Sequence, residues 1–265
     1  MVEKESFVKV IVEPSVYLVA SSCVRNTNLQ RFADEEKIEI KRGLSVGDCD
    51  LIPEIAGRLC YMSFNAPRPG GNKAYLEHIL DVGHGSVLEH SVWSFIFTGI
   101  SRSCSHELIR HRAGFGFSQL SQRYVDESDV AFVVPYGIHI NTPAYEVWLR
   151  SMESARDAYV VLASELLRAN KDETDRTMAR KKARQEARSV LPNATETKIF
   201  VTGNARSWRN FIEQRASKYA DREIRHLANK VLDVLQEESS VLFSDYEKHD
   251  LGDYTYEVTT NHKKV

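Results

Sequence analysis

Val92-Trp-Ser-Phe-Ile-Phe-Thr-Gly-Ile100 sets Val92, Ser94, Ile96 and Thr98 against Trp93, Phe95 and Phe97. Both alternating sets hold apolar residues, so the stretch is predicted to be a largely buried strand. Ser101–Arg112 follows and reads as a helix, and residues 113–129 as a loop. Upstream, Gly85-Ser-Val-Leu-Glu89 is predicted helical, with Ser86 and Glu89 spaced as a capping box. Before it, Tyr75, Ile79, Leu80 and Val82 mark the apolar side of a helix that stops at Gly83. Ala66-Pro-Arg-Pro-Gly-Gly71 is a turn, and another helix is expected from about Ile52 to Met62. Residues 25–50 are mostly polar and read as loop, while the valine-rich residues 7–24, interrupted by Pro14, read as one or two strands.

Downstream, Val130–Pro135 is a short predicted strand. Thr142-Pro143, a capping residue followed by proline at the first helical position, opens the longest helix. In it Trp148, Met152, Ala155, Tyr159, Leu162 and Leu166 form an amphipathic stripe, suited to the core or to another subunit. Asp172–Ser189 is a very basic helix ended by Pro192, Thr195–Thr202 a strand, and Ala205–Lys218 and Asp221–Leu242 further helices. Strands and helices do not alternate strictly, which predicts an α+β fold, or α/β of irregular order: a mixed sheet with long helices. No repeat, low-complexity tract or linker interrupts it, so residues 1–265 are read as a single domain.

Bulk properties narrow the function classes. The 265 residues, 42% hydrophobic and 27% charged, suffice for one sizeable core or two small ones. The 35 basic and 37 acidic residues nearly cancel, which argues against holding nucleic acid by bulk electrostatics but leaves room for a small anionic ligand on local arginines. No segment approaches the ~18 apolar residues of a membrane span. Met1–Ser6 carries charges of both signs with no secretory segment after it, so a cytoplasmic location is expected. Cys23, Cys49, Cys60 and Cys104 make no CxxC pair and are read as reduced, mostly buried thiols.

Chemistry concentrates in residues 102–124: Arg102, His106, Glu107, Arg110, His111, Arg112, Ser118, Gln119, Ser121, Gln122, Arg123 and Tyr124. Capping of a helix C-terminus accounts for one or two of these cations. Hydroxyl, amide and guanidinium groups together suit a nucleotide or another phosphorylated ligand, which arginine forks grip bidentately. His106-Glu107-Leu-Ile-Arg-His111 imitates a zinc motif, but Arg110 holds the position where the second histidine must stand, and His84 and His90 complete no ligand set. There is no P-loop, and Gly114-x-Gly116 lacks the third glycine of a dinucleotide fingerprint. A second cluster comprises Arg188, Asn204, Arg206, Asn210 and Arg215. Arg206, Asn210 and Glu213 can share a helix face that Asn204 could cap, whereas Arg215, about two and a half turns from Arg206, points elsewhere. A plain solvated face is the alternative reading of this cluster.

Arg110-His111-Arg112 followed by Ser118-Gln-Leu-Ser-Gln-Arg-Tyr124 resembles the signature of flavin-dependent thymidylate synthases. The resemblance extends to Gly83-His-Gly-Ser-Val-Leu-Glu-His90, Arg188-Ser-Val-Leu-Pro192 and Thr202-Gly-Asn-Ala-Arg-Ser-Trp208, and covers roughly residues 55–247. One departure stands out: eight residues, Ala113–Leu120, separate Arg112 from Ser121 where the family has seven, and Gly114 and Gly116 could absorb the extra one. The resemblance implies reductive methylation of dUMP to dTMP with FAD, a reduced nicotinamide such as NADPH and methylenetetrahydrofolate. It also implies a homotetramer with sites where subunits meet. By position, Ser86, Arg110, His111, Arg112, Gln119, Asn204, Ala205, Arg206 and Asn210 look like flavin contacts, with His84 a further candidate. Glu107, Leu108, Ile109, Arg110, Gln119, Leu120, Ser121, Gln122, Arg123, Arg188 and Arg215 look like dUMP contacts. Arg215 looks like the catalytic residue that favours ionisation at N3 of uracil. The rival readings are a nucleic-acid-binding module using the basic helix 176–188, and a cysteine-based synthase with Cys104 as nucleophile.

Overall fold

The computed structural model describes residues 8–43, 46–66 and 68–265. The reading of Met1–Ser6, the first residue of the predicted 7–24 strands and Pro67 of the predicted turn lie outside the described residues. The elements are β1 (Lys9–Ile11), β2 (Ser15–Ser21), α1 (Asn26–Glu36), α2 (Asp48–Tyr61), α3 (Gly71–Asp81), β3 (Val92–Ser101), α4 (Arg102–Leu108), β4 (Phe115–Gln119), β5 (Ala131–Val133), α5 (Pro143–Ala169), α6 (Arg176–Ala187), β6 (Glu196–Asn204), α7 (Ala205–Arg215), α8 (Arg222–Glu238), β7 (Glu247–Asp250) and β8 (Tyr256–Thr259). Short 3-10 helices occupy Gly85–His90 and Arg188–Val190. Strands pair in the orders β1-β5, β2-β3-β6-β4 and β7-β8. The fold mixes helix and sheet. The chain forms two compact units, one of residues 8–15, 97–108 and 118–199, the other of residues 16–96, 109–117 and 200–265.

In the first unit β1 and β5 pair in parallel, Lys9 opposite Ala131 and Ile11 opposite Val133. Val8, Val130, Phe132 and Met152 form a buried cluster against which Trp148, Leu149, Leu191 and Ala194 pack. The predicted start of α5 is formed: Thr142 Oγ1 accepts the Tyr145 N–H at 3.3 Å and Pro143 follows. Met152 and Tyr159 of its stripe are buried, whereas Leu162 is exposed. The basic helix starts at Arg176 rather than Asp172, because Asp175 caps it by accepting the N–H groups of Thr177 and Met178 at 2.8 and 3.1 Å. α6 packs along α5, with Ala179, Ala183 and Ala187 buried at every fourth position. Several of its cations have partners within the chain. Arg184 donates to Tyr124 O at 2.7 Å and to Asp126 at 2.9 Å, Lys182 pairs with Glu173 at 2.6 Å, and Lys181 lies 4.7 Å from the Tyr124 ring centre.

The second unit is built on aromatic edges. Trp93 meets Phe243 at 5.6 Å and Phe95 meets Trp208 at 5.1 Å, both edge to face. Ile224, Leu227, Val231 and Leu235 give α8 a buried stripe. Arg209 of α7 is wholly buried and bidentate to Asp245, at 2.7 and 2.8 Å.

Several expectations are corrected. Residues 25–50 are not mostly loop: α1 fills Asn26–Glu36 and α2 begins at Asp48. α1 turns only Leu29, Phe32 and Ala33 inward, so its polar remainder masked the period. Residues 113–129 include β4, where Phe115, Phe117 and Gln119 are half-buried and the residues between them exposed. α4 ends at Leu108, which leaves Arg110–Arg112 beyond the helix. The capping box is not made: Ser86 lies inside the 3-10 helix, and Glu89 is taken by Arg206. Of the thiols, Cys49 and Cys104 are buried but Cys23 and Cys60 are exposed; none is in a disulfide.

Glu127 gives a test of this packing. It is 5% exposed, and its Oε1 has no hydrogen-bond partner among the described residues. Burial raises its carboxyl to about 7, opposed by the Arg102 charge and helped by Glu196 and Asp126. Neutral Glu127 therefore contributes its full stability below the unfolded value near 4.5, and that contribution is lost as pH rises through 7. Glu127→Gln should raise the melting temperature by a few degrees at high pH, the gain shrinking toward acid. Equal melting shifts across the pH range would overturn this account.

Candidate active site

β6 runs directly into α7. Asn204 makes the junction as the predicted N-cap, its Oδ1 accepting the Ser207 N–H at 2.9 Å. Ala205 is fully buried and gives its N–H to Ser91 O at 2.8 Å. Arg206 and Asn210, one turn apart, line a pocket of about 380 Å3 with Asn204, Ser207, Glu89, Ala113, Gly114, Lys264 and Val265. Arg206 Nη1 donates to Glu89 Oε1 at 2.6 Å. Ser86 is exposed in the 3-10 helix that carries Glu89. Gly114 has φ +71°, and a Cβ there would collide with Ser207 Oγ and come 2.8 Å from Asn204 Nδ2. Only glycine satisfies both the conformation and the approach.

A separate, open cleft of about 580 Å3 is lined by Arg110, His111, Glu213, Gln214, Arg215 and Ser217. Arg215 thus leaves the Arg206–Asn210 side of α7, as its spacing implied, whereas Glu213 lines this cleft and also accepts the N–H of Lys264, which lines the Arg206 pocket. Arg215 Nε donates to His111 Nε2 at 2.8 Å, so the imidazole is an acceptor there and Nδ1 carries its proton. The ring is 8% exposed and meets the edges of Phe211 at 5.3 Å and Phe115 at 6.4 Å. Burial, then the charges of Arg215 and Arg110, push His111 down to about 4. Arg112, between His111 and Gly114, is exposed.

The other candidate residues are braced within the first unit, apart from half-buried Ile109 and exposed His84, which belong to the second. Gln119 Nε2 donates to Ser105 Oγ at 2.8 Å and Thr197 Oγ1 at 3.2 Å, and Leu120 N donates to Lys198 O at 2.9 Å. Ser121 O accepts the N–H groups of Tyr124 and Val125, and its Oγ accepts that of Arg123 at 3.4 Å. Gln122 is buried, and Arg123 Nε is buried without a hydrogen-bond partner among the described residues. Such an orphaned donor calls for a partner that the described residues do not supply. Glu107 and Arg188 are half-buried, and Leu108 is fully enclosed. Cys104 is 2% exposed, and His84, His90 and His106 are exposed. Among the described residues no group of three or more His, Cys, Asp or Glu is placed to hold a metal.

Sequence reasoning missed Ser207, Lys264 and Val265 as pocket residues and gave Glu89 only a capping role. Ser207 lies within a quoted motif; Lys264 and Val265 reach the pocket by tertiary contact that no local pattern announces.

The family model of the thymidylate synthase complementing protein matches residues 46–239. The flavin-dependent thymidylate synthase of Mycolicibacterium vanbaalenii is 51% identical over 210 residues, 78% of this chain and 83% of that one. That of Mycobacterium avium is 50% identical over the same length and shares. Among solved structures, the UMP/dUMP methylase PolB from Streptomyces cacaoi bound with 5-Br dUMP matches with a TM-score of 0.63 at 21% identity, over 89% of this chain and 96% of that one. That likeness is one of fold.

Two outcomes are expected. Gly114→Ala should cost on the order of 1–3 kcal/mol, from strain and from disturbing the Asn204–Ser207 cap, read as a lower melting temperature. An unchanged melt would overturn the need for glycine. For His111, the unfolded chain takes up a proton near 6.5 that the folded chain refuses until about 4. Its contribution is therefore full above 6.5 and lost as pH falls toward 4. His111→Gln should flatten the acid limb of the melting profile in that window; an unaltered limb would refute the neutral assignment.

Proposed function

The chain belongs to the thymidylate synthase complementing protein family, and from that premise we propose that it methylates dUMP to dTMP, with bound FAD and with a reduced nicotinamide such as NADPH and methylenetetrahydrofolate as co-substrates. The observation that carries this reading is the Arg215–His111 hydrogen bond beside Arg110 in an open cleft. The hydrogen bond to His111 fixes the plane of the Arg215 guanidinium. Aimed at the uracil ring of dUMP, the guanidinium stabilises negative charge developing at N3 and leaves C5 more nucleophilic.

The flavin is assigned to Ser86, Arg110, His111, Arg112, Gln119, Asn204, Ala205, Arg206 and Asn210. The pocket around Arg206 supports this, because it offers guanidinium and amide donors around a backbone that is crowded at Gly85 and excludes a Cβ at Gly114. When bound, the flavin supplies the redox chemistry. dUMP is assigned to Glu107, Leu108, Ile109, Arg110, the Gln119–Arg123 loop, Arg188 and Arg215, with Arg123 and Arg188 neutralising its phosphate. The orphaned Nε of Arg123 favours that role. Ser121 braces its own loop and has no activating base beside it in sequence, so it serves as a contact rather than a nucleophile. The partners of Arg184, Lys182 and Lys181 weigh against a nucleic-acid face on α6. The enclosure of Cys104 weighs against a cysteine nucleophile. Among the described residues no helix is long and apolar enough to cross a membrane. A cytoplasmic homotetramer with shared sites completes the proposal.

The purified protein should carry a yellow chromophore, released on denaturation, whose spectrum shifts with dUMP. In an assay of dUMP-dependent oxidation of reduced flavin with methylenetetrahydrofolate, Arg215→Ala should lower turnover roughly tenfold or more while keeping the flavin. Arg215→Lys should not restore it fully, because lysine lacks the planar fork. Cys104→Ala should keep most activity. A dead but flavin-loaded Cys104→Ala beside a fully active Arg215→Ala would overturn the mechanism.

A further inference from the structure

Residues 260–265 lie beyond the 46–239 matched by the family model, yet two of them line the Arg206 pocket. The segment is tied down at successive points. Thr260 Oγ1 donates to Asp245 Oδ2 at 2.5 Å. His262 contacts Asp245 Oδ2 through Nδ1 at 3.0 Å and Asp81 Oδ1 through Nε2 at 2.9 Å, and its carbonyl accepts from Arg209 at 3.2 Å. Lys264 adopts φ +65°, a left-handed conformation disfavoured for any residue but glycine. Its N–H is shared between both oxygens of Glu213, at 3.2 and 3.3 Å, which holds that conformation. Val265 is 6% exposed and lies against Gly85, where a Cβ would stand 3.1 Å from the Val265 carbonyl carbon and 2.9 Å from Arg206 Nε. Backbone held away from its preferred region at the wall of a pocket points to a role there.

The charge balance shows what that role is. The Arg206 guanidinium is already matched by the Glu89 carboxylate at 2.6 Å. At the start of α7 the Ala205 N–H is taken by Ser91 O and the Ser207 N–H by Asn204 Oδ1. An anionic ligand in this pocket therefore meets a cation already paired with a carboxylate and a helix end with two of its first three N–H groups taken. Lys264 is the other cationic residue of the lining. We propose that the segment 260–265 is a built wall of the cofactor pocket, and that Lys264 is a binding residue for the diphosphate of a dinucleotide cofactor. Thr260, His262 and Glu213 are positioning residues that hold Lys264 at the rim. This inference rests on the flavin reading of the pocket.

The test titrates FAD into flavin-stripped protein by fluorescence, at low and high salt, with dUMP binding measured in parallel. Lys264→Ala should raise the Kd for FAD about tenfold, the loss of one charge-assisted hydrogen bond. It should also flatten the salt dependence, because an exposed charge is screened. Lys264→Arg should stay near the parent, and dUMP affinity should hold throughout. His262→Ala, which releases the tail but keeps the lysine, should weaken FAD binding while retaining more of the salt dependence. If the parent binds FAD and Lys264→Ala matches it in affinity and salt slope, the inference is wrong and the flavin reading stands. If the parent takes up no FAD, both fall.

Discussion

Arg209 sits on α7 with none of its surface exposed, and a charge so placed is costly unless partners surround it. Asp245 grips both terminal nitrogens, Leu242 O accepts at 2.6 Å, and the Tyr246 ring lies 4.8 Å away. Tyr246 returns its hydroxyl to Arg209 O at 3.2 Å. Burial would lift the Asp245 carboxyl, but hydrogen bonds from Arg209, Thr260 and His262 hold it down to about 2. The pair fastens α7 to the chain that follows α8. With Trp208, Phe211 and Ile212 buried on the same helix, the rotation of α7 is set, and with it the directions of Arg206, Asn210 and Arg215. The placement of the pocket-lining side chains of α7 depends on that one salt bridge.

The same helix shows how side-chain direction divides labour. Arg206 and Asn210 share one pocket, and Arg215 takes the cleft of Arg110 and His111. The neutrality of His111 follows from its place between two guanidinium groups and beneath aromatic edges. A charged imidazole there would have to give up its role as acceptor and repel its own partner.

What the sequence revealed was what local chemistry controls. The Val92–Ile100 alternation, the Thr142-Pro143 start of α5 and the Asn204 cap each depend on residues close in sequence, and each is formed. The helix containing Asn26–Glu36 was hidden because only Leu29, Phe32 and Ala33 face inward. β4 was hidden by its flanking glycine, although Phe115 and Phe117 carry the right alternation. Gly114 takes the left-handed conformation that a glycine at that point of the loop suggested. Nothing local could show that Arg215 donates to His111 more than a hundred positions away, or that Lys264 lines a pocket with Ala113. Those facts belong to tertiary structure, and charge patterning along the chain does not encode them.

The alanine ladder of α6 has a mechanical meaning. Ala179, Ala183 and Ala187 are buried on a helix that packs along α5, and a methyl group leaves little to compress or rearrange. α6 can therefore neither roll nor slide without opening a gap. Through Arg184 and Lys181 it also clasps Tyr124 and Asp126, which close the loop begun at Gln119. The loop inherits the stiffness of the helix pair, like a tool held in a vice. Residues with no ligand chemistry of their own thus set how accurately Gln122 and Arg123 are presented.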